Sequence, residues 1–244
     1  MLLRFYGTKG YVEESSKSHA GHSAFVLEAD GFRLLCDFGQ NRKGMLRRIR
    51  PDAVFVSHAH PDHGWGLEEG TSAPVHASAV THGLLAKQPI AERVIVEPDQ
   101  PVTVGPFRVT VFPVIHSVRC PCIAARIERD GFTVVYSGDI VAFEDPEAAL
   151  NGADLYVGDG STLTGSLVRR HPDGALIGHT TVRAQLGWLA SHGVPRAVFS
   201  HFGKGPIEMG DEALQEELER LAAKHPMGCS VTAARDGMEL EVGD

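Results

Sequence analysis

Cysteine is scarce in this chain. Four residues (Cys36, Cys120, Cys122 and Cys229) in 244 are too few and too irregularly spaced for a disulfide framework. A reducing, cytoplasmic setting follows as the expectation. Positive charge is also in deficit. Lysine and arginine number 23 against 31 acidic residues, a formal net charge of −8. That balance excludes the overall basic footprint of a nucleic-acid coat or a membrane-surface protein. Aromatic residues are only 7% of the chain. No apolar run approaches the ~18–20 residues of a helical membrane span, so no membrane partner is expected. The start, Met1-Leu2-Leu3-Arg4-Phe5, has no secretory-signal layout. Repeats, low-complexity tracts and linker-like stretches are missing too, which points to a single domain over 1–244.

Strand signals dominate the first half. The runs 23–28 and 32–37 flank Ala29-Asp30-Gly31, and 122–128 and 132–137 flank Arg129-Asp130-Gly131. Asp-Gly between such runs predicts a hairpin. Further short apolar runs at 53–57, 94–97, 102–104, 107–115, 153–158 and 196–200 predict strands. Helices are predicted at 181–191 and 211–224. In the second, Leu214, Leu218 and Leu221 recur at helical spacing and make one apolar face. Runs 229–234 and 238–242 predict a closing strand pair around Asp236-Gly237. The expectation is an α/β protein with sheet-on-sheet packing and helices outside.

One residue type is abundant. There are 13 histidines, and histidine is the commonest metal ligand and a frequent acid–base group. Residues 57–63 read Ser57-His58-Ala59-His60-Pro61-Asp62-His63, directly after an apolar strand. His58 and His60 are two apart, so both can point the same way from extended backbone. Pro61 suits a helix start. Four potential ligands therefore leave one strand end together. Imidazole with carboxylate suits zinc first, with manganese or iron as alternatives.

This His-X-His-X-Asp-His pattern resembles the signature of the metallo-β-lactamase superfamily. Asp37, His116, Asp139 and His201, each after a strand-like run, match the superfamily's other motif residues. The resemblance implies a four-layer αββα sandwich with two metal ions at the edge between its sheets. It implies that His58, His60 and His116 hold one ion and that Asp62, His63 and His201 hold the other. Asp139 would bridge them, and Asp37 would orient a ligand from behind. A hydroxide shared by two ions about 3.5–4 Å apart would be the nucleophile, with Asp62 steering its proton.

His60 stands where the diiron redox branch usually carries glutamate, which favours hydrolysis. Three segments resemble ribonuclease Z and its small phosphodiesterase relatives: Phe5-Tyr6-Gly7-Thr8-Lys9-Gly10, His116-Ser117-Val118-Arg119-Cys120, and Gly178-His179-Thr180-Thr181-Val182. The resemblance casts His179 as the group that contacts or protonates the scissile phosphate, and Asp159 as its orienter. Gly158, beside Asp159, departs from that branch's pattern. So does the short interval between Asp139 and His179, which leaves no room for a long tRNA-clamping arm.

The expected activity is therefore phosphodiester hydrolysis on a small phosphorylated substrate or short nucleotide. Long nucleic acid is disfavoured by the net charge and the missing arm. Three alternatives stay open: thioester, lactone or lactam hydrolysis on the same site, transfer-RNA 3′-end cleavage without the arm, and a non-catalytic metal-binding module. A homodimer is compatible with the resemblance. Lys17, His19 and His22 lie in a predicted solvated loop that could border the site as a substrate loop. The runs Arg47, Arg48, Arg50 and Arg169-Arg170 read as solvated surface, and Cys120 and Cys122 as loop cysteines.

Overall fold

Alternation along the strands decides what each face buries. In the computed structural model, which describes residues 1–225 and 228–243, the chain opens with β1 (Leu2–Gly7), β2 (Ala24–Ala29), β3 (Phe32–Cys36), β4 (Ala53–Phe55), β5 (Val75–Ala77) and β6 (Arg93–Ile95). These lie side by side in that order. Strands β1 to β3 pair antiparallel and β3 to β6 parallel. Between them sit α1 (Leu46–Ile49), α2 (Pro61–Gly64) and α3 (Ala79–Leu84).

The second sheet starts with β7 (Val102–Val104), β8 (Phe107–Ile115), β9 (Cys122–Arg129), β10 (Phe132–Tyr136), β11 (Ala142–Phe143) and β12 (Leu155–Asp159). A small separate hairpin follows, β13 (Arg169–Arg170) with β14 (Leu176–Ile177). Strands β15 (Arg196–Ser200) and β16 (Ser230–Ala233) complete the second sheet, in the order β11-β8-β9-β10-β12-β15-β16. Helices α4 (Pro146–Leu150), α5 (Val182–Ser191), α6 (Lys204–Met209) and α7 (Asp211–Ala222) connect its later strands. The last strand, β17 (Glu239–Glu241), crosses back and pairs antiparallel with β1.

Three apolar layers hold four structural layers together. Leu3, Phe25, Leu27 and Phe55 from the first sheet meet Val109, Val111, Ile127 and Val157 from the second. Val26, Leu35 and Val54, on the opposite face of the first sheet, pack with Ile49, Leu67 and Leu85 from its helical side. Val135, Tyr156 and Phe199 of the second sheet pack under Leu186, Leu189, Leu214, Leu218 and Leu221 of α5 and α7. Each fully buried side chain of this kind stabilises the fold by about 1.5–3 kcal/mol relative to exposure. The result is the αββα sandwich expected of the sequence.

Both Asp-Gly hairpins form, β2–β3 and β9–β10. The third Asp-Gly turn does something else. The strands on either side of Asp236-Gly237 do not pair with each other. β16 pairs parallel with β15, while β17 joins the other sheet. Gly237 N donates to Phe5 O and Phe5 N donates to Met238 O, so this turn carries the chain from one sheet to the other. A local turn signal cannot tell a hairpin from a crossing, because the partner strand lies at the far end of the chain. No helix among the described residues is long and apolar enough to cross a membrane.

Candidate metal centre

Six strand ends converge on one edge of the sandwich. Asp37 follows β3, His58 lies just beyond β4, His116 follows β8, Asp139 lies just beyond β10, Asp159 ends β12 and His201 follows β15. Carboxyl ends of parallel strands are where loops leave the sheet and ligands bind. Asp37 and His201 both hold left-handed backbone, with φ of 56° and 57°. For non-glycine residues this costs on the order of 1–3 kcal/mol and is concentrated at functional sites. Gly138 (φ 59°) makes room for its neighbour Asp139, because a Cβ there would sit 2.8 Å from Cys122 Sγ and 3.0 Å from Ser57 Cβ.

His60 has the extended backbone that a following proline demands, and Pro61 opens the short helix α2 that carries Asp62 and His63. Three imidazoles then converge. His58 Nε2 lies 2.8 Å and His116 Nε2 3.2 Å from His60 Nδ1. Burial pushes all three towards the neutral form, His60 down to about 4 with the added repulsion of His116. Neutral imidazole presents the lone pair a metal needs.

Beside this trio lies a second group, Asp62, His63 and His201. His201 Nε2 is 2.9 Å from Asp62 Oδ2, and His63 Nε2 is 3.7 Å from the same oxygen. Asp139 stands between the groups. Its Oδ2 is 3.6 Å from both His58 Nε2 and His116 Nε2, and its Oδ1 is 3.1 Å from His63 Nε2. One oxygen towards each group is the disposition of a bridging carboxylate.

His63 Nε2 and Asp139 Oδ1 are buried and make no hydrogen bond within the described residues. The two face each other 3.1 Å apart as an ion pair without hydrogen-bond alignment, and a buried polar atom left without a hydrogen bond costs about 1–3 kcal/mol. Burial opposes charge on His63, but the carboxylates of Asp139, Asp62 and Asp37 outweigh it and raise its pKa well above the usual range. The same contest leaves His201 raised to about 10, with Asp139, Asp159 and Asp62 against burial. This half of the site calls for positive charge. A divalent cation among these donors satisfies both orphaned atoms, so the residues present fit metal ions.

Asp37 anchors the centre from behind. It is fully buried and accepts hydrogen bonds from Ser57 N, Ser57 Oγ and His63 Nδ1, each at 2.7 Å, and from Tyr136 OH at 2.5 Å. The bond to His63 Nδ1 leaves Nε2 for a ligand role.

His179 sits two residues before Thr181, the N-cap of α5. Its Nδ1 is 2.8 Å from Asp159 Oδ2, and its ring lies 5.1 Å from that of His116 and 5.5 Å from that of His201. Burial works against protonation of His179, yet Asp159 overrides it and raises the pKa. The other oxygen of Asp159 accepts from Ser161 N at 2.9 Å and lies 3.4 Å from His201 Nδ1. Ser161 adds a contact that sequence reasoning missed. Its Oγ is 2.9 Å from His201 Nδ1 and 3.2 Å from His179 Nδ1. Tyr136 was missed as well. Neither hydroxyl belongs to a spacing pattern, so no signal in the chain singles it out.

A cavity of about 580 Å³ opens over the centre and includes His60, His116, Asp139, His179 and His201 in its walls. None of Lys17, His19 and His22 lines it. Lys17 is exposed. The expectation of a wholly solvated loop fails for the two histidines. His19 is 1% exposed, packed edge-on against Phe202 with Nδ1 2.8 Å from Thr8 Oγ1. His22 is 6% exposed, beneath Tyr11. Gly10, Tyr11 and Val12 take the wall position instead. Cys122 opens strand β9 and is buried, while Cys120 lies in the loop before it. Arg47, Arg48, Arg50, Arg169 and Arg170 are all exposed, as expected of surface, and Arg169 also lines the cavity.

Comparison with known proteins agrees with this geometry. Residues 33–202 match the family model described as the beta-lactamase superfamily domain. The chain is 27% identical over 173 residues to YhfI of Bacillus subtilis, described as a probable metallo-hydrolase, covering 59% of this chain and 70% of that one. The crystal structure of YhfI, a metallo-beta-lactamase fold protein, superposes with a TM-score of 0.78 at 22% identity, covering 99% of both chains. Ribonuclease Z of Methanopyrus kandleri is 30% identical over 147 residues, 52% of this chain and 50% of the relative. The structure of a diphosphatase of the PhnP family superposes with a TM-score of 0.74 at 18% identity, covering 99% of this chain and 98% of the other. At these identities the structural matches speak for the fold.

Proposed function

The chain belongs to the metallo-β-lactamase superfamily and is a metal-dependent hydrolase, and from that premise we propose that it is a phosphodiesterase with two divalent ions, acting on a small phosphodiester or short nucleotide. His58, His60 and His116 would hold one ion, Asp62, His63 and His201 the other, with Asp139 shared. When bound, such ions supply Lewis acidity and a nucleophile drawn from water at neutral pH. Zinc suits this donor set best, with manganese or iron as substitutes. The four cysteines are free, in keeping with a reducing, cytoplasmic setting.

One observation carries the choice of substrate: His179, held by Asp159 on the cavity wall beside both ligand groups. Asp159 accepts the hydrogen bond of Nδ1–H, which leaves Nε2 of His179 for the substrate. With its pKa raised by Asp159, His179 can donate to a phosphoryl oxygen or hand a proton to the leaving alkoxide. Donation to a non-bridging phosphoryl oxygen is the part of this role that favours a phosphodiester, since a leaving alkoxide is common to esters and lactones. Asp62, whose carboxyl is held down to about 2 by His63 and His201 against the effect of burial, is ionised at neutral pH and can guide the proton of the attacking water.

A chromogenic panel tests the reading. Bis(p-nitrophenyl) phosphate should be cleaved at least tenfold more efficiently than thioester, lactone or lactam substrates. The reverse order would contradict it. Cleavage of precursor transfer RNA by the purified protein would move the assignment to 3′-end processing.

A further inference from the structure

The hairpin β13–β14 stands apart from both sheets, but its base is bonded to the metal centre. Leu167 N donates to His179 O at 3.2 Å, Gly178 N donates to His116 O at 2.9 Å, and His116 Nδ1 donates to Gly178 O at 3.0 Å. Across the hairpin Arg169 is paired with Ile177, and Arg170 with Leu176. Side chains alternate along extended chain, so Leu167, Arg169 and Ile177 share a face. That face lines the cavity. Arg170 falls on the other face, where it bonds the hairpin's own Gly174 O at 2.9 Å.

The cavity wall also carries Lys204, yet Lys204 already has acidic partners. Its Nζ is 2.7 Å from Glu14 and 3.6 Å from Glu208. Arg169 has none. Among the described residues no carboxylate lies within ion-pairing distance of it and its side chain makes no hydrogen bond, although the chain carries 31 acidic residues. A guanidinium is a planar fork of donors suited to phosphate or carboxylate oxygens. Here the fork is flanked by the apolar Leu167 and Ile177 on a wall that His179 adjoins. Ile177 lies two residues before His179, and Gly178 between them bends the chain with a φ of 104°. Arg169 makes no hydrogen bond or ion pair with any side chain of the His/Asp ligand groups, so it stands beside the reacting centre rather than in it.

We propose that Arg169 is a subsite for a second phosphoryl group of the substrate, one beyond the phosphodiester that is cleaved, and that Leu167 and Ile177 pack the organic arm joining the two. The hairpin then selects nucleotides bearing a further phosphate over simple diesters. This proposal rests on the phosphodiesterase reading above.

The test is equilibrium binding, which needs no turnover. Thymidine 5′-phosphate and thymidine 3′,5′-bisphosphate, which differ only in the second phosphate, are titrated into the metal-loaded wild type, Arg169→Ala and Arg169→Lys by calorimetry. Metal content and circular dichroism establish that each variant is folded. The wild type should bind the bisphosphate about tenfold or more tightly than the monophosphate. Arg169→Ala should bring that ratio close to one, and Arg169→Lys should keep part of it. A wild-type ratio near one overturns the proposal. So does a ratio that survives in Arg169→Ala, or an Arg169→Ala loss equal for both ligands, which would place Arg169 on the reacting phosphate. Failure of the wild type to cleave bis(p-nitrophenyl) phosphate would count against the phosphodiesterase reading alone, because the binding ratio is measured without hydrolysis.

Discussion

Nδ1 of His179 lies 2.8 Å from Oδ2 of the buried Asp159. The contact fixes the tautomer and ring direction of a histidine outside the two groups assigned to the ions, although His179 also clusters with Asp139, Asp159 and His201. His179→Ala should therefore keep its metal and lose phosphodiester turnover by ~10²-fold or more, the scale of general acid–base catalysis. Metal analysis alongside steady-state kinetics checks this. Full turnover in the variant would remove His179 from the chemistry.

Asp37 gathers four donors in the buried region behind His63. Asp37→Ala should destabilise the metal-free protein by about 3–5 kcal/mol, as expected when one partner of a buried charged network is removed. Tyr136→Phe deletes one hydrogen bond to a charged group and should cost about 1.5–3 kcal/mol. Urea unfolding of both variants measures the difference. Equal and small losses would show that the network contributes little.

The turn after β3 touches the helix that carries two ligand candidates. Phe38 N donates to His63 O, and a Cβ on Gly39 would lie 2.4 Å from Asp62 O and 2.3 Å from His22 Cβ. The first of these is backbone and cannot swing aside. Gly39→Ala should displace α2 and weaken metal retention by tenfold or more, read by competition with a chelator. Unchanged retention would mean that the turn and helix can part without disturbing the ligands.

Much of the centre is legible in the chain because strand ends place it. His58, His60, Asp62 and His63 are local spacing. Asp37, His116, Asp139 and His201 each follow an apolar run, and parallel strands bring those ends to one edge. What spacing does not encode is packing between distant segments. Phe202 covers His19 and Tyr11 covers His22, and neither contact leaves a trace in the loop's own polar composition. Arg169 is exposed, as its run reads, and only the β13–β14 register shows that it also faces the cavity. Likewise β17 finds β1 from the opposite end of the chain, which a turn signal at Asp236-Gly237 cannot reveal.

His22 gives the metal-free protein a defined pH response. Burial pushes its pKa from 6.5 down to about 4, so the folded state keeps it neutral. Between pH 6.5 and 4 the unfolded chain takes up a proton that the folded one does not. Stability should fall as pH drops through that window, by at most about 3 kcal/mol from this residue. Other buried histidines add to the total, so the comparison is with His22→Gln, whose loss over the same window should be smaller by about 1–3 kcal/mol. Identical losses in both proteins would show that His22 is not the group responsible.

The proposed phosphodiesterase depends on two ions held by the groups that meet at Asp139. Its most direct test is to strip the protein with a chelator and titrate zinc or manganese back while following bis(p-nitrophenyl) phosphate cleavage. Activity should vanish on stripping and return to a plateau at two ions per chain. A plateau at one ion, or cleavage that persists without metal, would contradict the account.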